Sequence, residues 1–200
     1  MKKLIISLLI ASSISLVGCS NATTTTTRNA TAKKKQPQAM ADTLPQTSNI
    51  KYYFTRADQH PDIQLINVID SSKSSLDIAI YSLTKKSIVD SIIQAKERGV
   101  AVRIMTDKIE SKSKSEAKEL KLLEAANIPI KINSHSGLLH IKMTIADDSV
   151  ATTGSYNYTQ AASVRNDEIL VIISDSKIAR DFETEFNSMW SNNKDYKDYN

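Results

Sequence analysis

Residues 140–168 read HIKMTIADDSVATTGSYNYTQAASVRNDE, and this stretch decides how the rest of the chain must fold. His140 and Lys142 stand two apart in the apolar run Leu138, Leu139, Ile141, Met143 and Ile145. In a β-strand residues i and i+2 share a face, so the imidazole and the amine are expected to emerge side by side. Asp147 and Asp148 interrupt the run, and residues 150–153 (VATT) read as a return strand, which makes a hairpin. Gly154-Ser155-Tyr156-Asn157 follows where that strand ends, and glycine there permits a close backbone approach. The hairpin thus gathers His140, Lys142, Ser155 and Asn157. An imidazole, a cation, a hydroxyl and an amide at one spot suit a phosphate group, whose anionic oxygens need several donors at once.

Outward from the hairpin the pattern alternates. Residues 51–55 (KYYFT) form a strand of aromatic and β-favouring residues, and Pro61 opens a helix carrying Ile63, Ile66 and Ile69. Residues 76–83 (LDIAIYSL) are a strand, and 85–98 a helix with Ile88, Val89, Ile92 and Ile93 on one face, closed by Gly99. A strand over 100–106, a charged helix over 112–126 with Leu120 and Leu123 inward, and a short strand over 128–132 follow. Beyond the hairpin, residues 168–174 (EILVIIS) form a strand, and a helix from Ser176 spaces Ile178, Phe182, Phe186, Met189 and Trp190 for burial. The charged tail, 194–200, is expected to fray. The alternation predicts an α/β fold, a mixed β-sheet flanked by helices on both faces, as one domain over 48–200.

The N-terminus has a different character. Met1-Lys2-Lys3 and an apolar run to Val17 have the charged and hydrophobic regions of a secretory signal, too short for the roughly 20 residues of a bilayer span. The run ends in Leu16-Val17-Gly18-Cys19, which resembles the bacterial lipobox. That resemblance implies a signal peptide over 1–18, lipidation of Cys19 and a lipid-anchored protein of the cell envelope facing the periplasm or exterior. The alternative is an ordinary signal peptide with an incidental cysteine. Residues 19–47, with the threonine run 23–27, Lys33-Lys34-Lys35, Pro37 and Pro45, read as a flexible tether. Cys19 is the sole cysteine, which excludes an internal disulfide and a cysteine metal site.

Charge needs the same division. The chain holds 26 Lys and Arg against 22 Asp and Glu. Lys2, Lys3, Arg28, Lys33, Lys34 and Lys35 all precede Ser48, however, against one acid, Asp42, so the domain is near neutral. Phosphate contacts in such a domain depend on a local patch and bind in a salt-dependent way.

Written as a pattern, the stretch is His140-x-Lys142, four residues, Asp147, six residues, Gly154-Ser155-x-Asn157. It resembles the complete HKD motif of the phospholipase D superfamily. The single copy and the following Asn166-x-Glu168 are most similar to the small bacterial endonuclease branch. The resemblance covers roughly residues 48–200. It implies metal-independent phosphodiester hydrolysis with no cofactor, and two HKD motifs meeting at one site. In a one-motif chain that implies a symmetric homodimer with His140 of each protomer facing the other.

One His140 then attacks phosphorus and the other protonates the leaving oxygen and later activates water. Lys142, Ser155 and Asn157 bind the phosphate, and Glu168 accepts the second ring N–H of His140. Asp147 is a motif residue whose place at the turn suggests structural support. Taken singly, Ser155, Asn157 and Asp147 are ordinary turn residues and Glu168 a solvated strand-edge residue.

Of the remaining histidines, His60 reads as a surface or capping residue. His135 reads as a loop residue able to line a groove. His135 and His140 at i, i+5 do not make a zinc site. Lys85, Lys86, Arg103, Lys108, Lys131 and Arg165 are candidate nucleic-acid backbone contacts, and Tyr156 and Tyr158 candidates for stacking on bases or for the core. Three functions follow: a sequence-nonspecific endonuclease acting on DNA or RNA, a phospholipase or cardiolipin-type hydrolase, and a non-enzymatic nucleic-acid-binding surface lipoprotein. The intact motif argues against the last, and the lack of an extra amphipathic segment against the second.

Overall fold

The computed structural model describes residues 49–199. The expected signal peptide, Cys19 and tether lie outside the described residues. In chain order the elements are β1 (Ile50–Phe54), α1 (Pro61–Ser71), β2 (Ser75–Ile80), α2 (Lys86–Glu97), β3 (Ala101–Thr106), α3 (Lys114–Ala125) and β4 (Ile130–Asn133). They continue with β5 (Lys142–Ala146), β6 (Val150–Gly154), α4 (Gln160–Val164), β7 (Ile169–Ile173), α5 (Ser176–Ser191) and β8 (Tyr196–Asp198). The strands form a single sheet in the order β1-β7-β6-β5-β2-β3-β4-β8. The β2-β3-β4 part is parallel and the other pairings are antiparallel, the mixed sheet that the sequence implied.

Strand alternation sorts the side chains into two cores. Leu76, Ile78, Ile80, Val102, Ile104, Leu170 and Ile172 face α1, α2, α3 and α4 in the larger one. Ala79, Met105, Met143 and Ile145 meet Phe186 and Met189 of α5 on the opposite face. Each large aliphatic side chain removed from water contributes about 1.5–3 kcal/mol, which opposes the chain entropy. On the α5 face the buried Asp77 pairs with Arg103 at 2.6 Å, and Arg103 also reaches Glu183 at 2.9 Å while stacking over Phe186 and Trp190.

Several sequence expectations are corrected. In α1 the inward stripe is Leu65, Val68 and Ile69, at i, i+3 and i+4, whereas Ile63 is exposed. The tail does not fray up to Tyr199: β8 pairs with β4, and Tyr199 donates its N–H to the Ile130 carbonyl. The five-residue helix α4 escaped the reading, being too short for a period, although Thr159 caps it by accepting from the Ala162 N–H. The strand expected around His140 begins only at Lys142. The Leu139 N–H and the His140 carbonyl go to side chains instead of a ladder: the former donates to the Asp107 carboxylate, and the latter accepts from Lys142.

Candidate active site

One edge of the sheet, where β2 and β6 end and β5 and β7 begin, gathers the polar residues of the motif. A cleft of about 400 Å³ there is lined by His140, Lys142, Gly154, Ser155, Asn157 and Glu168. Five of the six proposed site residues therefore share one pocket, and Asp147 does not. It sits at the opposite edge, in the β5–β6 turn at φ 53°, and accepts from the backbone N–H groups of Lys73, Ser74 and Ser75 and from the Ser74 hydroxyl. Partial burial alone would raise its carboxyl, but the hydrogen bonds from Ser75, Ser74 and Lys73 prevail and hold its pKa below the usual value. Asp147 thus clamps the loop before β2, in keeping with the structural support its place at the turn suggested.

The hairpin presents each remaining group by a separate device. Lys142 opens β5, paired with Ile80, and its amine is buried, donating to the His140 carbonyl at 2.7 Å. Burial lowers the Lys142 pKa, and the Glu168 carboxylate partly opposes that. Gly154 adopts φ 137°, and a Cβ there would lie 2.1 Å from the Ile169 carbonyl oxygen. That same oxygen accepts from the backbone N–H groups of Ser155 at 3.1 Å and Tyr156 at 3.3 Å.

Tyr156 and Tyr158 are fully buried, so neither stacks on a base. Their phenols bond to Ser163 and Thr144, each at 2.6 Å, and this pair of anchors turns the intervening Asn157 toward the cleft. The Asn157 Oδ1 atom is buried and has no hydrogen-bond partner among the described residues. A polar atom in that condition costs on the order of 1–3 kcal/mol until something donates to it.

Glu168 departs from its expected role within one chain. Its Oε2 accepts from the Ser155 hydroxyl at 2.6 Å and its Oε1 from the Asn166 amide at 3.0 Å. The His140 ring makes no hydrogen bond to any described residue and rests instead against the Tyr81 ring, with centroids 4.7 Å apart. Tyr81 and Asp107 lie outside the motif. Asp107 is fully buried and accepts from the N–H groups of Ile109, Glu110 and Leu139, tying the segment that carries His140 to the end of β3. An acid directly after a parallel strand, at the sheet edge that holds the motif, was the available clue.

The basic residues do not form one patch. Arg103 and Lys131 are spent inside the fold, the latter on the Trp190 carbonyl and the Asn193 side chain. Lys85 pairs with Asp62, Lys86 with Asp90, and Lys108 donates to the His135 carbonyl. Arg165 is exposed. His60 is exposed beside Asp58, and His135 packs edge-on against Tyr196. Among the described residues no three of His, Cys, Asp and Glu group in a way that could hold a metal ion.

The chain matches the family model described as cardiolipin synthase, PLD-like domain, over residues 65–190. It is 35% identical over 118 residues to a phospholipase D of Rickettsia conorii, covering 59% of this chain and 58% of that protein. Against a mitochondrial cardiolipin hydrolase of Chlamydomonas reinhardtii, identity is 25% over 127 residues, covering 64% of this chain and 56% of the other. The chain thus spans little more than half the length of these curated relatives. Among solved structures, the phospholipase D family member Nuc from Salmonella typhimurium superposes with a TM-score of 0.70 at 27% identity, covering 75% of this chain and 97% of that one. NucT from Helicobacter pylori shares the fold, with a TM-score of 0.61 at 23% identity over 70% of this chain and 96% of its own. A family model matched across most of the domain, a shared mixed sheet and a filled HKD pattern at one cleft lead to one conclusion: this chain belongs to the phospholipase D superfamily.

Proposed function

We propose that this protein is a metal-independent phosphodiesterase that cleaves nucleic acid without sequence preference, working as a homodimer anchored to the cell envelope through Cys19. The observation that carries the reading is the state of the cleft. An exposed His140 ring with no hydrogen bond to the described residues shares one cleft with the buried Lys142 and the Ser155 and Asn157 side chains. In the reaction a ring nitrogen of His140 forms a bond to phosphorus while the bond from phosphorus to the leaving oxygen breaks. His140 of the partner subunit gives that oxygen its proton. Water, deprotonated by the partner subunit's His140, then displaces the histidine nitrogen from phosphorus and releases a phosphomonoester. The Lys142 amine and the Asn157 amide N–H groups hold the phosphoryl oxygens, and Ser155 joins them once its hydroxyl hydrogen is released from Glu168.

A single imidazole cannot serve both sides of an in-line displacement, which is why two chains are required. An apolar surface for such pairing adjoins the cleft: Tyr52 and Phe54 lie exposed on the edge strand β1, and Phe54 lines a shallow pocket that shares Ser155 and Glu168 with the site. The likeness to Nuc, over 75% of this chain and 97% of that one, supports the nuclease reading.

A second reading, hydrolysis of a lipid phosphodiester, is favoured by the exposed Leu138 and Ile141 that flank His140, an apolar rim suited to a membrane surface. The test is nicking of supercoiled DNA in excess EDTA beside hydrolysis of cardiolipin vesicles, with wild type and His140→Ala at two salt concentrations. DNA cleavage by the wild type alone, weaker at high salt, supports the first reading. Vesicle hydrolysis without nicking supports the second, and a folded dimer that turns over neither refutes both.

A further inference from the structure

Tyr81 occupies no motif position, yet it touches both His140 and Lys142. It follows the last residue of β2 and donates its backbone N–H to the Ile141 carbonyl at 3.0 Å, which seats its ring beneath the segment from His140 to Lys142. The ring centroids of Tyr81 and His140 are 4.7 Å apart with planes at 50°, and Lys142 Nζ lies 5.0 Å from the Tyr81 centroid. On its far side the phenol donates to Glu110 Oε1 at 3.2 Å. Glu110 is placed by its own N–H, which donates to Asp107, the carboxylate that also accepts from the Leu139 N–H. Asp107 therefore ties together the backbone that carries Glu110 and the backbone that carries His140. Burial first, then Glu110, Asp107 and Glu116, keep the Tyr81 pKa above its ordinary value, so the phenol stays a neutral donor.

An exposed imidazole with two rotatable bonds attacks well only if something fixes its direction, because a misplacement of about 1 Å can cost on the order of 10²-fold in rate. Lys142 holds the His140 backbone, and no described hydrogen bond holds its ring. Attack on phosphorus also leaves the ring cationic, and an aromatic face within about 6 Å stabilises such a charge. We infer that Tyr81 is a positioning residue for His140: anchored through Glu110, its ring orients the imidazole for attack and shelters the cation that attack creates. The catalytic part of this inference rests on His140 being the nucleophile.

The test uses the full chain with Tyr81→Leu, Tyr81→Phe and Glu110→Gln, singly and with the last two combined. Kinetics are read on DNA and on bis(p-nitrophenyl) phosphate, and the His140 ring signals by NMR on histidine-labelled protein. Tyr81→Leu is expected to lower kcat on the order of 10²-fold and to abolish the ring-current displacement of the His140 signals. KM should change far less than kcat, through the Lys142 contact alone. Tyr81→Phe restores kcat to within about tenfold of wild type and keeps the ring-current displacement. Glu110→Gln combined with Tyr81→Phe costs no more than the larger single loss, because both act through one contact.

A Tyr81→Leu chain with wild-type kcat, or with unmoved His140 signals, overturns the inference. If that variant does not fold, fully additive losses for Tyr81→Phe and Glu110→Gln overturn it instead. A wild type inactive on every diester, whose His140 signals still move with Tyr81→Leu, would refute the nucleophile while upholding Tyr81 as the residue that orients the ring.

Discussion

The two ends of the β5–β6 hairpin carry parts of the same motif in opposite conditions. At the turn, Asp147 is saturated: three backbone N–H groups and a hydroxyl point at its carboxylate. At the cleft the balance is reversed, with an amine withdrawn from water and a ring and an amide oxygen that find no hydrogen-bond partner among the described residues. A residue whose bonding capacity is filled by its own chain holds the fold together. A residue left with capacity awaits something else. Motif membership does not separate these cases, whereas the hydrogen-bond inventory does.

The largest expected break in this contrast is His140→Ala. It should lower turnover by at least about 10⁴-fold with little change in Tm, since nothing in the fold hangs on the ring. Asn157→Ala should reduce kcat on the order of 10²-fold by removing a phosphoryl donor, and it also relieves a buried unpaired oxygen, so stability should not fall in proportion. Asp147→Asn sharpens the comparison from the other end. Asparagine tolerates the left-handed turn, so urea titration should show a loss of about 1–2 kcal/mol while activity per folded molecule is unchanged. Lost activity at full stability in that variant would erase the distinction between the two ends.

The smallest effect concerns Glu116, fully buried under the end of β2, where its carboxylate accepts from the Leu83 N–H and the Thr106 hydroxyl. Burial raises its pKa from 4.5 to about 7 in spite of those bonds. The folded chain thus holds this proton more tightly than the unfolded one, so its stabilising share is complete below 4.5 and is lost as pH rises toward about 7. Glu183, raised to about 7 by burial and Asp77 against the pull of Arg103, acts in the same direction. Glu116→Gln should raise Tm by about 3 °C at pH 8 and flatten its decline with pH.

The mixed sheet with helices on both faces was legible because period-two and period-3.6 patterns run through most elements, and the cleft was legible because the motif writes its spacing into sequence. Beyond α4 and the paired tail, three further features were not. The inward face of α1 depended on which stripe met the sheet, and both Ile63 and Leu65 satisfy an apolar period. Tyr156 and Tyr158 carry residue types used equally for stacking and for cores, and only their burial with Ser163 and Thr144 decided. Tyr81 and Asp107 lie far in sequence from His140, so their contacts exist only once β2, β3 and β5 are assembled.

Gly154 turns this geometry into a rule for anyone altering or transplanting the site. The gap between β6 and β7 is set by an absent methyl group, because a Cβ there would fall 2.1 Å from the Ile169 carbonyl that accepts from Ser155 and Tyr156. A saturation library at position 154 screened for turnover should therefore return glycine and nothing else. A graft of this cleft onto another sheet must copy an empty space as faithfully as it copies the side chains around it.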